Sequence, residues 1–349
     1  MNRPIRVLIV DDSIIVRKLL TEALSGLRDI EVVGSAPDAM VAAERMAKLE
    51  PDVITLDIEM PGMDGLSFLR RLPPPRSTAV IIVSSLAQSG CSAALQALEA
   101  GAVEVVAKPG GPFSVADLCS VLPGKIRAAH EAKKRCRPSS APPLAKPTAM
   151  RAVLPDRGRL LPVVAIGAST GGTEALRMVL AELPETSPPI LVVQHIPPVF
   201  SKAFADRLNQ VCRIRVVEAI NGQALEPGLA LVAPGNQHLS VRRTGGALRV
   251  FVTSGPRVCY QRPSVDVLFQ SVAETLGAKS IGIVLTGMGA DGAQGLLKMK
   301  EAGATTMAQD ESTCVVYGMP KEAVRAGAVQ QVVPLTGIAS AIVAAISRT

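Results

Sequence analysis

Short apolar runs that end in a turn and lead into a helical pattern recur along this chain. The clearest example is the stretch 281–300, where a β-branched run at 281–285 is followed by a glycine-rich turn at 286–292 and then by a helical pattern. Strand, loop and helix in this order build an open parallel sheet, in which ligands and catalytic groups collect beyond the carboxyl ends of the strands. We therefore expect an α/β protein whose chemistry lies in the turns that follow its strands.

The first part of the chain alternates strand and helix five times. Strand runs are found at 5–10, 31–36, 52–57, 79–85 and 103–107. Helical patterns follow them at 13–24, 37–49, 65–71, 91–100 and 114–134. Five such units predict a flavodoxin-like (βα)5 domain with a doubly wound parallel sheet.

Polar residues stand at the ends of four of these strands. Asp11 and Asp12 follow the first strand, Asp57 the third, Ser84 the fourth and Lys108 the fifth. Carboxylate oxygens suit Mg²⁺, and a lysine and a hydroxyl beside one carboxylate would stabilise a phosphoryl group in transfer. We predict Mg²⁺ at the three aspartates, Asp57 as the phosphoryl acceptor, and Ser84 and Lys108 in contact with the phosphoryl group. In the alternative, the first two aspartates cap a helix and the lysine is a surface charge.

Four motifs in this part of the chain belong together: IVDDS, Asp57 followed by MPGMDG, the VSS of the fourth strand, and Lys108-Pro109. Through them residues 1–127 resemble the receiver domain of bacterial two-component response regulators. The resemblance implies phosphoryl transfer to Asp57 from a histidine kinase and a cis peptide before Pro109. Val105 stands where receivers often place an aromatic switch residue.

The formal net charge of +7 is concentrated in one stretch. Between Lys125 and Arg159 there are ten lysine or arginine residues, two acidic residues and five prolines. Such a composition cannot pack a core, so we predict a basic, proline-rich linker at 128–159. A nucleic-acid-binding arm is less favoured and no nucleic-acid partner is expected, because aromatic side chains for base stacking are nearly absent.

The last part of the chain, 160–349, is expected to form a second α/β domain. Predicted strands lie at 162–167, 190–194, 214–218, 229–233, 248–252, 281–285, 304–308 and 330–333. Predicted helices lie at 172–182, 199–209, 264–277, 292–301, 319–325 and 335–347. This pattern predicts a doubly wound, Rossmann-like domain with a mostly parallel sheet.

Three residues of catalytic type follow strands of this second domain. Ser169 lies in a turn with Gly171 and Gly172 that opens a helix, His195 follows the next strand, and Asp291 lies at the mouth of the helix in the stretch 281–300. The N-terminus of a helix favours an oxyanion near Ser169. His195 is suited to take the hydroxyl proton and Asp291 to orient the ring, so the sequence predicts a Ser-His-Asp hydrolase.

Other residues compete for these roles. His238 is a rival base, Asp310 is a rival acid, and each of the three residues also suits a helix cap or a packing role. A dinucleotide site is an alternative from another class, since a G-x-G-x-x-G pattern is followed by acids about 20 residues on. The pattern is formed by Gly287, Gly289 and Gly292, with Asp310 and Glu311. That alternative leaves Ser169 and His195 unused.

Four longer motifs occur in the second domain: IGASTGGTEAL, VQHIPPVFSKAFADRL, RPSVDVLF and GMGADGAQGLLKMKEAGATTMAQDES. Through them residues 160–349 resemble the catalytic domain of chemotaxis protein-glutamate methylesterases, which follow a receiver and a linker in that family. The resemblance implies Ser169 as nucleophile, His195 as base, Asp291 as orienting acid, and Thr170 and Met288 as lining residues. It also implies phosphorylation-regulated hydrolysis of glutamate γ-methyl esters, and deamidation of certain glutamines, on chemoreceptors.

The remaining features bear on compartment and cofactors. The apolar runs are too short to span a bilayer. The six cysteines contain no C-x-x-C pair, so reduced thiols are expected. We expect a cytoplasmic, monomeric protein without membrane insertion, with Mg²⁺ at the receiver site and no cofactor at the hydrolase site. A receiver that controls a hydrolase fold used only for binding is the non-enzymatic alternative.

Overall fold

In a computed structural model of the chain, residues 3–72, 78–84, 88–108, 115–135 and 162–348 are described. The chain divides into two units, Met1–Ser140 and Ala141–Thr349. The predicted linker beyond Arg135 and the predicted cis peptide before Pro109 lie outside the described residues.

The first unit alternates five strands with five helices. Its strands are β1 (Ile5–Val10), β2 (Ile30–Ala36), β3 (Val53–Asp57), β4 (Ala79–Ser84) and β5 (Glu104–Ala107). Its helices are α1 (Ile14–Leu24), α2 (Ala39–Leu49), α3 (Gly65–Arg71), α4 (Gln88–Glu99) and α5 (Val115–Arg135). The strands form one parallel sheet in the order β2-β1-β3-β4-β5, which is the flavodoxin-like order. The predicted fold class of this unit is confirmed.

The central strands of this sheet are apolar on both faces. Every residue of β3 and β4 is buried, as are the last four residues of β1. A parallel strand covered by helices on both sides has no solvent face, so its sequence is a continuous apolar run rather than an alternating one. The polar residues that end these strands therefore mark the edge where the sheet opens to ligands.

Helix α5 continues beyond the predicted end of the receiver at residue 127. It ends at Arg135, and its alanines at 128, 129 and 132 are buried. Lys133 Nζ lies 2.9 Å from a carboxylate oxygen of Asp52, which is also buried. Residues 128–135, predicted as linker, are therefore helical and pack on the first unit, while the limits 1–127, 128–159 and 160–349 stay predictions.

The second unit contains a seven-stranded parallel sheet. Its strands are β6 (Val163–Ala168), β7 (Ile190–Gln194), β8 (Arg215–Glu218), β9 (Leu229–Val232), β12 (Ser280–Val284), β13 (Thr305–Gln309) and β14 (Gln331–Val333), in the order β14-β13-β12-β6-β7-β9-β8. The helices are α6 (Gly172–Glu182), α7 (Phe200–Val211), α8 (Val265–Leu276), α9 (Ala293–Glu301), α10 (Met319–Arg325) and α11 (Ile338–Arg348), with a 3-10 turn at Leu335–Gly337. The predicted doubly wound α/β class is confirmed.

The run 248–252, predicted as a strand of the α/β sheet, lies outside the seven-stranded sheet. It belongs to β11 (Ala247–Thr253), which pairs antiparallel with β10 (His238–Thr244), a strand that was not predicted. Gly245 and Gly246 have φ angles of 58° and 83° and form the two-residue turn that suits right-twisted hairpin strands. Strand β10 was not predicted because two exposed arginines near its end interrupt the apolar alternation of its sequence.

Strand β6 lies where the strand order changes direction. The chain proceeds from β6 to β7 on one side of it, and β12 later pairs with its other side. In open α/β sheets, the crevice beyond the carboxyl ends of strands at such a point is where ligands bind. The turns after β6, β7 and β12 carry Ser169, His195 and Asp291.

Lys133→Met is expected to destabilise the first unit by about 1–2 kcal/mol, because among the described residues Arg3 would be the one remaining side-chain partner of Asp52. Burial raises the pKa of Asp52, but Lys133, the Arg6 N–H and Arg3 together hold it below its ordinary value. A carboxyl group with a lowered folded pKa stabilises the fold above its unfolded pKa and loses that contribution as pH falls. In urea unfolding, the deficit should be present at pH 7 and shrink below about pH 4.

Arg127→Met is the matched control on the same helix. Its partner Asp29 lies 2.6 Å away at an exposed position, where an ion pair contributes little to stability. A loss in Arg127→Met as large as that in Lys133→Met, or a Lys133→Met loss that is independent of pH, would contradict this account of Asp52.

Candidate active site

The receiver residues predicted from the strand ends lie together in the first unit. Asp11 and Asp57 are buried, Asp12 is exposed, and Lys108 Nζ lies 2.8 Å from a carboxylate oxygen of each buried aspartate. The N-cap of α1 is Ser13, whose hydroxyl accepts from Val16 N–H, so capping of α1 does not explain the two aspartates. Lys108 is held by the buried aspartates and is not a surface charge.

This aspartate cluster suits a divalent cation. One oxygen from each of Asp11, Asp12 and Asp57 falls within 4.8 Å of the others, a spacing that Mg²⁺ can bridge while it keeps several waters. Burial, and then the charge of Asp11, raise the pKa of Asp57 above its ordinary value, although Lys108 lowers it. Ser84 Oγ is buried without a hydrogen-bond partner among the described residues, as expected of a group that contacts a ligand.

In the second unit, Ser169 is the first residue after β6. Its N–H donates to Thr286 O at 3.0 Å, and its carbonyl accepts from Gly172 N–H at 2.7 Å at the start of α6. Gly171 caps that helix at a φ of 76°, a conformation that favours glycine. Ser169 Oγ forms no hydrogen bond with any part of the chain that the structure describes. The turn therefore fixes the backbone of Ser169 and leaves its hydroxyl available.

His195 lies beside Ser169 and is bonded to Asp291. The residues before them, Ala168 and Gln194, are partners in the β6–β7 register, and His195 N–H donates to Ala168 O at 3.1 Å. His195 Nε2 donates to Asp291 Oδ2 at 2.8 Å, whereas Nδ1 is buried and has no partner within the described ranges. Nδ1 is therefore the ring nitrogen that Asp291 does not engage, the reverse of the usual triad, in which Nδ1 faces the acid.

The carboxylate of Asp291 is held by the N-terminus of a neighbouring helix. Its oxygens accept from Val265 N–H at 2.7 Å, Asp266 N–H at 3.0 Å and Ser264 Oγ at 2.7 Å, all at the start of α8. Burial raises the pKa of Asp291, but the combined lowering by His195 and the two N–H groups is larger. The pKa of Asp291 therefore lies below its ordinary value. The N-cap of α9 is Gly292, so Asp291 does not cap the helix that follows it.

The rival base and the rival acid have other roles. His238 donates from Nε2 to Pro256 O at 2.8 Å and accepts at Nδ1 from Ser264 N–H at 3.2 Å, so both of its ring nitrogens are engaged. Asp310 accepts from Ser312 and Thr313 within its own turn. Of the candidate bases and acids in the described residues, His195 and Asp291 are the pair that the structure brings together.

Two of the three glycines of the dinucleotide pattern have structural reasons of their own. A Cβ on Gly287 would lie 2.7 Å from Ser169 Cβ and 2.4 Å from Met319 Sδ, so only glycine lets this loop approach the serine. Gly292 has a φ of 93° at the N-cap of α9. Asp310, one of the two acids of the pattern, is engaged in its own turn by Ser312 and Thr313.

The two residues expected to line the site flank Ser169. Thr170 is buried, and its carbonyl accepts from Thr286 Oγ1 at 3.0 Å. Met288, which follows the close approach of Gly287 to Ser169, is 38% exposed. Met288 is therefore the member of this pair that a substrate can reach from solvent.

Sequence reasoning missed two residues that hold the triad. The Gln194 side chain, buried at the end of β7, donates from Nε2 to Ser169 O at 2.9 Å and to His195 O at 3.3 Å. Ser264 bonds Asp291, as described above. A polar residue that ends an apolar strand was a usable signal for Gln194, but Ser264 has the pattern of an ordinary N-cap.

The fold and the two sites define a receiver-type unit followed by an α/β unit with a hydrolase-type Ser-His-Asp arrangement. The family model for the response regulator receiver domain matches residues 7–120, and the model for CheB methylesterase matches residues 164–342. The protein-glutamate methylesterase/protein-glutamine glutaminase 2 of Syntrophus aciditrophicus is 53% identical over 97% of this chain and 98% of its own length. The chain belongs to the protein-glutamate methylesterase/protein-glutamine glutaminase family.

Other relatives agree with this assignment. A protein of the same family name from Shigella flexneri is 46% identical over 98% of this chain and 97% of its own length. The crystal structure of the Thermotoga maritima CheB methylesterase catalytic domain is 39% identical and matches 53% of this chain and 98% of that one, with a TM-score of 0.52. The predicted family and enzyme class are thereby confirmed. Among the described helices, none is both long and apolar enough to cross a membrane.

Gln194→Met is expected to lower kcat for ester hydrolysis roughly tenfold with a smaller change in KM, because the carbonyls of Ser169 and His195 would lose their shared donor. Gln330→Met is the control for a glutamine-to-methionine change away from the site: Gln330 is exposed, and its Oε1 accepts from Thr306 N–H. Steady-state kinetics of both variants check this. Equal losses in both, or a change confined to KM in Gln194→Met, would contradict the assigned role.

Proposed function

We propose that this chain is a phosphorylation-regulated serine hydrolase that demethylates glutamate γ-methyl esters, and deamidates certain glutamines, on chemoreceptors. One observation carries the proposal: His195 donates from Nε2 to a buried, ionised Asp291 and keeps Nδ1 for the neighbouring Ser169. The names of the relatives, which describe protein glutamate and glutamine as substrates, supply the substrate class.

In the first half of the reaction, Ser169 Oγ attacks the γ-carbonyl carbon of the ester or amide. His195 Nδ1 takes the hydroxyl proton, and the imidazolium that forms is stabilised by Asp291 through Nε2–H. Collapse of the tetrahedral intermediate breaks the bond to the leaving group, which departs as methanol or ammonia with the proton from Nδ1. The glutamyl group remains as an ester on Ser169.

In the second half, water attacks the acyl-enzyme and gives its proton to His195 Nδ1. Ser169 leaves with that proton, and the product is a glutamate carboxylate on the receptor. The oxyanion of each intermediate would lie next to the N-terminus of α6, whose dipole favours negative charge. Met288 N–H has no acceptor among the described residues and lies one residue from the contact of Gly287 with Ser169, so we assign it as an oxyanion donor.

The receiver site supplies regulation in this proposal. Asp57 accepts a phosphoryl group from a histidine kinase, and Ser84 Oγ and Lys108 Nζ contact the phosphoryl oxygens. Asp11, Asp12 and Asp57 would hold Mg²⁺, which neutralises charge on the group in transfer. The protein works in the cytoplasm as a monomer, without nucleic acid or membrane insertion, and its hydrolase site needs no cofactor.

Ser169→Ala is expected to abolish methanol release from methylated chemoreceptor membranes, a loss of at least 10³-fold, because no hydroxyl remains to form the acyl-enzyme. Ser187→Ala is the matched control: Ser187 is another buried serine of the second unit, and its hydroxyl donates to Pro184 O. A folded wild-type protein that releases no methanol, with or without a phosphodonor, would favour the binding-module alternative.

Asp57→Asn is expected to remove the rise in methanol release that a small phosphodonor and Mg²⁺ cause in the wild type, while release without phosphodonor persists. Phosphoryl incorporation should require Mg²⁺ and should be slower in Ser84→Ala, which keeps the acceptor but loses a hydroxyl contact. Phosphodonor-stimulated release in Asp57→Asn equal to that of the wild type would contradict the receiver's assigned role.

A further inference from the structure

Ser264 occupies a position that the catalytic scheme above does not use. It is completely buried at the N-cap of α8, where its hydroxyl accepts from Val267 N–H at 3.4 Å and donates to Asp291 Oδ1 at 2.7 Å. Its own N–H donates to His238 Nδ1 at 3.2 Å, and His238 is anchored through Nε2 to Pro256 O. Ser264 therefore connects a fixed histidine to the acid of the triad.

The four donors to Asp291 are distributed evenly over its two oxygens. Oδ1 accepts from Ser264 Oγ and Asp266 N–H, and Oδ2 accepts from Val265 N–H and His195 Nε2. Two donors are backbone N–H groups of a helix, which any substitution other than proline leaves in place. The Ser264 hydroxyl is the side-chain donor that fills Oδ1, so it limits rotation of the carboxylate and keeps Oδ2 directed at His195. It also withdraws negative charge from that carboxylate.

We propose that Ser264 is a positioning residue of the esterase, which sets both the orientation of Asp291 and the proton affinity of His195; this inference rests on the proposed function. Loss of the hydroxyl concentrates charge on Asp291 and stabilises the imidazolium, so His195 would keep a second proton at higher pH. A protonated Nδ1 cannot accept the Ser169 proton. As the pH is lowered, a variant without the hydroxyl would then lose activity at a higher pH than the wild type.

The other ionisable groups near Asp291 are accounted for by their own contacts. Asp266 accepts from Gly295 N–H at 2.6 Å, and the thiol of Cys259 lies 3.6 Å from Asp266 Oδ2. Burial, with the nearby carboxylates, raises the pKa of Cys259 to about 11, so this thiol is neutral at physiological pH. Both ring nitrogens of His238 are engaged, Nε2 by Pro256 O and Nδ1 by Ser264 N–H. The Ser264 hydroxyl can therefore be tested without a change in these charges.

Three substitutions separate the donor role of Ser264 from its role as a helix cap. Ser264→Thr keeps both the donor and the cap. Ser264→Ala loses both, and a lost cap costs about 1 kcal/mol, whereas glycine at an N-cap costs only a few tenths. Ser264→Gly thus removes the donor while it largely spares the helix. Thermal unfolding of each full-length variant gives the size of the capping effect independently of catalysis.

Two readouts on the full-length protein decide the question. The chain has three histidines, so NMR of ¹⁵N-histidine-labelled protein resolves a small set of ring signals, and His195 is assigned by its loss in His195→Gln. We expect Ser264→Ala and Ser264→Gly to raise the pH at which His195 is protonated by the same amount, and Ser264→Thr to match the wild type. The acid limb of kcat/KM should move in parallel, with kcat about tenfold lower at its optimum in both donor-less variants.

Two outcomes would overturn the proposal. One is a His195 titration that is the same in all four proteins. The other is a change in Ser264→Ala that is absent in Ser264→Gly, since the residue would then act only as a helix cap. The NMR titration needs no substrate, so a wild-type protein without esterase activity would refute the proposed function and still leave the link from Ser264 to His195 measurable.

Discussion

The carboxylate of Asp291, placed at the N-terminus of α8, is the interaction on which the active site depends. A buried carboxylate is costly unless it is fully hydrogen-bonded, and this one accepts from a hydroxyl, two backbone N–H groups and His195. Because these donors keep it ionised, it imposes one tautomer on His195, with the proton on Nε2. In the proposed mechanism the free lone pair on Nδ1 is the base, and the place of His195 next to the turn that carries Ser169 follows from the register of β6 and β7.

The rest of the second unit brings this carboxylate and Ser169 together. Asp291 follows β12 and His195 follows β7, on opposite sides of β6, so the loop after β12 must cross the turn that carries Ser169. Gly287 allows that crossing, since a Cβ there would overlap Ser169 Cβ. The side chain of Gln194 donates to the carbonyls of both Ser169 and His195 and so links that turn to His195. Gly287 and Gln194 are thus needed because three residues that follow separate strands must meet at one point.

Much of this arrangement could be predicted from the sequence, because strand ends share an edge. Asp57, Lys108 and Ser169 each follow an apolar run directly, His195 follows the last residue of a strand, and the structure places all four at the expected edges. The partners of Asp291 could not be predicted, since it is separated from α8 by a strand and two turns and only tertiary packing brings them together. The same holds for the end of α5, where a basic composition typical of a linker is outweighed by buried alanines and the Lys133–Asp52 pair.

The tautomer of His195 in the wild-type protein tests this account most directly. In the neutral ring, the account predicts a ¹⁵N shift and a one-bond proton coupling typical of a protonated nitrogen at Nε2, and the shift of an unprotonated nitrogen at Nδ1. The signals would be measured near neutral pH on the full-length chain, without substrate. A proton found on Nδ1 would contradict it, because Asp291 would then lack its donor from His195 and Ser169 would face a nitrogen that cannot accept its proton.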